Sequence, residues 1–531
     1  MFSALLISHL LKKEMTMGSQ RRLLIANRGE IALRIIRTAQ ESGFHTVTIY
    51  PEDDEASLHV RRADEAIRLS GVGPAAYLDI DEITNIALAT NCQMVHPGYG
   101  FLSESSSFVR SIEKAGIVFV GPTVDQMDLF GNKSAACNYA REKTIPVLGS
   151  SATFKSCDEF VKLCQNSVPR KPHIIKAVSG GGGRGMRVVR IGDDIRKLWD
   201  QAEAEALTAF GDGRLYAEEY CDVARHIEVQ VVGDGQGNVT HLWERDCSLQ
   251  RRHQKLVEIT PAPSLNSGLR NNLLDAAVSL ATEVQYRGIG TFEFLVDVET
   301  SNYFFIEANP RLQVEHTITE EVLGLDLVSI QLEIASGRSL ENLGLLTPPP
   351  IKGTALQLRI NAEKMSEDGK ISSVGGRVSQ FEPSAGPGVR VDTAAHNLYS
   401  MHPSFDSLLA KLIVYSHGSD QEKLLTKAGR VLSEFVIDGL PTNRSLLAAL
   451  VKRPEIVLGK VTTGFVEKNW ESLFSASEKL PKNQGADTDE VRGSTTTSIP
   501  EGLRAAKAPM RGSIISIDVE IGEIVSSGQQ L

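Results

Sequence analysis

The sequence predicts an α/β protein of several domains, and three observations predict it. The chain opens strand, helix, strand between Arg21 and Tyr50. A run of four glycines, Gly180 to Gly183, lies between two strand-like segments. A short apolar strand, Tyr303 to Ile306, runs straight into a cluster of charge. At 531 residues the chain has room for roughly three or four domains of ordinary size.

Taken in order, Arg21 to Asn27 reads as a strand. Glu30 to Ser42 reads as a helix with Ile31, Ile35 and Ala39 on one face, and His45 to Tyr50 as a β-branched second strand. This alternation predicts a parallel sheet. The turn Asn27-Arg28-Gly29-Glu30 lacks the Gly-x-Gly-x-x-Gly pattern, so no dinucleotide site is inferred. The first domain is expected over 20–130 and a second over 133–346. Pro348-Pro349-Pro350 marks a boundary before a third domain over 351–465. Residues 471–505 have the polar composition of a flexible linker. Beyond them, Ile515, Ile517, Val519 and Ile521 alternate with polar residues. Residues 506–531 thus read as a partial β unit, too few strands for a stable sheet alone.

Bulk properties exclude some partners. The formal net charge of -10 argues against a general nucleic-acid ligand. No apolar run reaches the length of a membrane span. The start, Met1 to Leu11, is apolar but short, and Lys12-Lys13 follows it rather than preceding it, unlike a secretory signal. The six cysteines are scattered without a Cys-x-x-Cys pair, which points to reduced thiols in the cytoplasm, or in a mitochondrion.

Glu307 and Asn309 stand two apart and so face one side of an extended chain. Glu293, in Thr291-Phe292-Glu293-Phe294-Leu295, offers a second carboxylate from a neighbouring strand. Oxygen donors on one face suit a hard divalent cation such as Mg²⁺. The residues after Ile306 read as too polar for core. Ile174-Ile175-Lys176-Ala177 is a strand ending in lysine, followed by Ser179 to Gly185. Gly181, Gly182, Gly183 and Gly185 would let backbone N–H groups close on phosphate oxygens, as a flap over a nucleotide. Lys133 is a candidate second phosphate lysine, and Glu218 a candidate acceptor from ribose or an adenine amine. His226 and His253 stand in polar strand contexts and join this candidate nucleotide site. The segment Glu244 to Lys255 has almost no apolar residues. It reads as lying outside the core and as suited to an anion pocket.

Lys176 with its glycine loop, the segment Glu244 to Lys255, and Phe305 to His316 together resemble biotin carboxylase, an ATP-grasp ligase of the biotin-dependent carboxylases. The similarity covers about residues 20–465. It implies an α/β N-terminal domain, an α+β ATP-grasp domain and an α+β C-terminal domain. It also implies ATP- and bicarbonate-dependent carboxylation of biotin on a carrier domain through carboxyphosphate, with Mg²⁺ or Mn²⁺. By resemblance, Lys133, Lys176, Glu218 and His226 match nucleotide contacts, and Glu293, Glu307 and Asn309 the metal site. Lys255, Arg311, Gln313 and Val314 match the bicarbonate pocket, Glu315 the catalytic base, and Arg359 the arginine facing the biotin ureido group.

The tail from Ala508 looks like the first half of a biotinyl, lipoyl-like domain without its Met-Lys-Met hairpin. Biotin would then come from a carrier outside this sequence, with a carboxyltransferase as partner and a homodimer as the assembly. Pro310 stands where stand-alone bacterial relatives carry threonine, and Met365 to Ser373 lacks their Phe-x-Pro-Ser. These departures leave the final carboxyl acceptor open. Two other readings are an ATP-grasp ligase acting on ammonia and a silent scaffold subunit; the presence of Lys176, Glu307 and Arg311 argues against the second.

Overall fold

The computed structural model describes residues 20–149, 151, 153–166, 172–179, 185–221 and 223–479. The described residues all belong to one compact unit. The expected partial β unit and residues 480–505 of the expected linker lie outside them.

The N-terminal region is a five-stranded parallel sheet of β1 (Arg22–Ile25), β2 (His45–Tyr50), β3 (Glu65–Arg68), β4 (Met94–His96) and β5 (Val118–Phe119), in the order β3-β2-β1-β4-β5. The helix Gly29–Glu41 follows β1 and buries Ile31, Ile35 and Ala39, the face its spacing predicts. Gly29 opens it at φ +65°, in the left-handed region that glycine enters without a Cβ penalty. The strand order reverses between β1 and β4, where open α/β sheets place ligand-binding loops. There Asn27 Nδ2 donates to the carbonyls of Pro97 at 2.7 Å and Tyr99 at 2.8 Å, tying the two loops together.

A small three-stranded sheet is formed by β6 (His173–Ala177), β7 (Arg187–Val189) and β8 (Leu215–Glu219) in the order β7-β6-β8. The helix Ile195–Phe210 packs Trp199, Ala202 and Ala206 into its core.

The centre of the molecule is an eight-stranded sheet. It contains β9 (Ala224–Asp234), β10 (Val239–Arg251), β11 (Gln254–Thr260), β12 (Arg287–Asp297), β13 (Tyr303–Asn309) and β14 (Thr354–Asn361), closed by the strands Leu408–Ser416 and Val389–Thr393. The last three strands come from the third sequence region, so this sheet continues across the boundary at the proline run. Ile227, Val229, Phe292, Phe294 and Phe305 pack beneath it against the helix Ser267–Glu283. Leu356, Leu358 and Ile360 of β14 pack with Leu412, Val414, Leu424 and Val431 in a second core. Each such side chain contributes about 1.5–3 kcal/mol by leaving water.

Two expectations need correction. The linker expected from 471 begins later, because Trp470–Glu478 is a helix that buries Leu473. The segment from Glu244, expected outside the core, is the second half of β10, and Glu244 to Arg251 is buried throughout. Arg245 and Asp246 pair with Glu228 and Arg225 of β9, Glu244 with Arg270 of the helix Ser267–Glu283, and Arg251 with Glu363, which offsets the desolvation penalty that composition alone implies.

Candidate active site

The site is built where β9, β11, β12 and the chain after β13 converge. Alternation on β9 puts His226, Glu228 and Gln230 on one face. Glu293 of β12 lies in register with Glu228 on one side and Glu307 on the other. Opposed residues of an antiparallel pair share a face. These carboxylates therefore converge on one side of the sheet.

Lys255 of β11 is the hub. Its Nζ donates to Glu228 Oε2 at 2.6 Å, Glu315 Oε1 at 2.7 Å and Glu293 Oε1 at 2.9 Å. Burial would lower its pKa, but Glu228, Glu293 and Glu315 hold the ammonium well above its ordinary range. The other oxygen of Glu315 accepts from Arg359 Nη2 at 2.9 Å. Burial pushes Glu315 up, yet Lys255, Arg359 and Arg245 outweigh it and keep the carboxyl well below its ordinary value. Glu315 is thus an ionised carboxylate with a different cation on each oxygen. It is fully buried, as is His316, so the sequence after β13 is polar core and not an exposed strand end.

Glu293 collects four donors. Its Oε1 also accepts from Asn309 Nδ2 at 2.9 Å and Gln313 Nε2 at 3.1 Å, and its Oε2 lies 2.7 Å from His226 Nε2. Burial opposes its charge, but Lys255 and His226 hold its pKa far down. His226 moves up in return, Glu293 overcoming burial. Asn309 Oδ1 accepts from Arg311 Nη2 at 3.1 Å, and Arg311 Nη1 donates to Gln313 Oε1 at 2.8 Å. Arg311 Nε donates to Glu104 Oε1 at 2.5 Å. The carbonyl of Val314 accepts from buried Lys411 at 3.2 Å.

A second group lies on and beside the small sheet of β6 and β8. Lys176 of β6 is ion-paired with Glu218 of β8. Lys133, which opens the helix Lys133–Glu142, stands 3.6 Å from Glu307. Burial and the nearby Lys133 lower the Lys176 pKa against the pull of Glu218. Lys133 itself moves up, Glu307 and Glu218 overcoming burial. His253 sits in the β10–β11 turn at φ +65°. Lost hydration lowers its pKa, opposed by Glu467 and aided by Lys176, His226 and Lys133. Gly185, at φ +68°, lies so near Ala177 that an added Cβ would meet its Cβ at 2.9 Å. Gly181, Gly182 and Gly183 lie outside the described residues.

The oxygen donors of Glu293, Glu307 and Asn309, carried on the paired strands β12 and β13, fit a hard divalent cation. Among the described residues, the groups whose ligand atoms lie within 4.8 Å of one another are His226, Glu228 and Glu293, and Glu228, Cys247 and Glu315. Glu307 is instead engaged with Lys133.

Three members of the network escape a reading of the sequence. Glu228 is fully buried and accepts from both Lys255 and Arg245. Arg245 is also fully buried and donates to Glu228 at 2.5 Å, Gln230 at 2.8 Å, Thr319 at 2.9 Å and Thr291 at 3.1 Å. Glu258 stands behind Arg359. Period-two alternation from His226 is the available signal for Glu228; Arg245 and Glu258 have none.

Family models match three stretches of the chain. The biotin carboxylase N-terminal domain matches residues 19–127, the carbamoyl-phosphate synthase L chain ATP binding domain 132–343, and the biotin carboxylase C-terminal domain 357–468. Pyruvate carboxylase of Aspergillus terreus (strain NIH 2624 / FGSC A1156) is 44% identical over 477 residues, 88% of this chain and 39% of that protein. The chain thus spans about two fifths of the length of such relatives. Biotin carboxylase 1 of Bacillus subtilis (strain 168) is 41% identical over 84% of this chain and 98% of that protein. The biotin carboxylase domain dimer of Hydrogenobacter thermophilus 2-oxoglutarate carboxylase, in complex with MgADP, ADP and bicarbonate, superposes with a TM-score of 0.78. It is 36% identical, over 86% of this chain and 99% of that one. With matching domains along its length and a relative covered almost end to end, the chain belongs to the biotin carboxylase family of ATP-grasp ligases.

Proposed function

We propose that this protein uses ATP and bicarbonate to carboxylate biotin presented by a carrier domain. The observation that carries the reading is Glu315, an ionised carboxylate gripped by Lys255 on one oxygen and Arg359 on the other. One base is thereby set between two cations, as a site that joins two anionic reactants requires.

Each residue then has a task. Lys133 and Lys176 offset phosphate charge, with Glu218, His226 and His253 around the nucleotide and the loop of Gly181, Gly182, Gly183 and Gly185 closing over it. Glu293, Glu307 and Asn309 would hold Mg²⁺ or Mn²⁺, which when bound neutralises phosphate oxygens. Arg311 holds bicarbonate through paired N–H groups, a geometry lysine cannot offer. Lys255, Gln313 and the backbone of Val314 complete that pocket. Glu315 takes the bicarbonate proton, and Lys255 and Arg359 keep it ionised across neutral pH. Arg359 turns an N–H toward the ureido oxygen of biotin and stabilises the charge that develops there. One donor placed at developing charge is worth about 3 kcal/mol. Lid closure keeps water from the activated carboxyl group.

The carrier domain and a carboxyltransferase are the proposed partners. The dimer form of the Hydrogenobacter domain supports a homodimer. All six cysteines are free thiols, in keeping with the cytoplasm or a mitochondrion. No helix among the described residues is long and apolar enough to cross a membrane.

The test is phosphate release from Mg-ATP and bicarbonate with and without millimolar biotin. Faster release with biotin, and no stimulation by ammonia, is expected. Ammonia stimulation without biotin stimulation would replace this reading with a carbamoyl-phosphate-type ligase.

A further inference from the structure

Arg359 has five N–H donors in a rigid fork. Its Nη2 reaches Glu315, and its Nε donates to Glu258 Oε1 at 2.5 Å. No acceptor among the described residues takes the Nη1 hydrogens. Glu258 lies in the middle of β11, fully buried, opposite Gln357 of β14. Arg359 is two residues further along the same face. The second oxygen of Glu258 accepts from Gln357 Nε2 at 3.1 Å, and Thr317 Oγ1 fixes that amide by donating to Gln357 Oε1 at 2.6 Å. Both oxygens of Glu258 are therefore spent on holding other groups, and neither reaches the residues around bicarbonate.

We propose that Glu258 is a positioning residue for the biotin half of the reaction: its charge anchors the rear edge of the Arg359 guanidinium so that the Nη1 edge faces the acceptor. This rests on the biotin-carboxylating function proposed above. The need for an anchor follows from what Glu315 does. When that carboxylate takes a proton, its hold on Arg359 weakens, and Glu258 is the remaining charged partner of the fork.

The anchor titrates in a useful range. The charged or titratable groups around Glu258 are Arg359 on β14, Glu315 at the start of the helix His316–Leu323, Cys247 on β10 and Lys255 on its own strand. Burial raises the Glu258 carboxyl to about 7, with Glu315 adding to the rise and Arg359 and Lys255 opposing it. The ionised, anchoring form is present above that value and is lost as pH falls through it.

The experiment measures phosphate release by the whole chain from Mg-ATP and bicarbonate, with and without millimolar biotin, from about pH 6 to about pH 8. The ratio of the two rates should rise with pH, and the biotin-dependent increment relative to the biotin-independent rate should rise about tenfold, as the charged fraction of a single group titrating near the centre of that range does. Glu258→Gln should flatten the ratio at its low-pH value and lower biotin-dependent turnover by a larger factor than biotin-independent turnover. Glu258→Asp keeps a titratable carboxyl and should keep the slope. A flat ratio in the unaltered protein, or a slope that survives in Glu258→Gln, would overturn the assignment while leaving biotin carboxylation standing. No biotin stimulation at any pH would overturn both. If Glu258→Gln does not fold, the unaltered protein and Glu258→Asp decide: a slope in both supports the anchor, and a flat ratio in either rejects it.

Discussion

Lys255 Nζ lies 2.7 Å from Oε1 of the fully buried Glu315. This contact joins strand β11 to the residue proposed as base. Because Lys255 also holds Glu228 and Glu293, the three buried carboxylates form one electrostatic unit with it.

Glu315→Gln should therefore remove the base while leaving a similar shape. Bicarbonate-dependent phosphate release should fall by about 10²–10⁴-fold, the range of a lost general base. Nucleotide affinity, read by equilibrium binding, should change far less, because Lys133 and Lys176 are untouched.

Lys176→Met removes one of two cations proposed to face phosphate and leaves Glu218 with only the more distant charge of Lys133. ATP affinity should weaken by about tenfold or more, consistent with losing a charged hydrogen bond worth about 1.5–3 kcal/mol. Titration with ATP followed by fluorescence or calorimetry measures it.

Arg359→Ala should divide the two half-reactions. Biotin-dependent turnover should fall by about a hundredfold, the loss of one donor at developing charge, and biotin-independent turnover by a much smaller factor. Equal losses in both would assign Arg359 to bicarbonate activation instead.

Asp54 tests the fold away from the chemistry. It accepts from Arg28 Nε at 2.5 Å, Arg28 Nη2 at 2.8 Å and Tyr77 at 2.9 Å, and Arg28 lies 3.8 Å over the ring of Phe405. Asp54→Asn should cost about 3 kcal/mol near neutral pH, as breaking a buried pair does. Burial pushes the Asp54 carboxyl up, but Arg28 and His59 outweigh it and its pKa is lowered. Its contribution is therefore complete above the unfolded value near ~3.9 and fades as pH falls through the folded one. The difference between the two proteins in denaturant unfolding should shrink below about pH 4.

Much of this site is legible in the residues themselves. Strand periodicity places Glu307 and Asn309 on one face, and a lysine ahead of a glycine run marks Lys176. Burial is hidden. Glu244 to Arg251 and Glu315-His316 look like surface by composition, because composition counts charges and cannot see that Arg225 meets Asp246 at 2.6 Å or that Arg245 meets Glu228. Arg245 and Glu258 act through residues distant in sequence, so no local pattern announces them. The helix Trp470–Glu478 is hidden for a related reason: the polar residues that follow it dominate the composition of 471–505, and it forms by packing Leu473 into the C-terminal core.

The central claim is that carbon from bicarbonate reaches biotin at this site. Labelled bicarbonate, Mg-ATP and free biotin, followed by recovery of acid-labile label on biotin, test it most directly. Label should appear on biotin only when ATP is present and should fall about a hundredfold with Arg359→Ala. ATP consumed with no label on biotin would contradict the account.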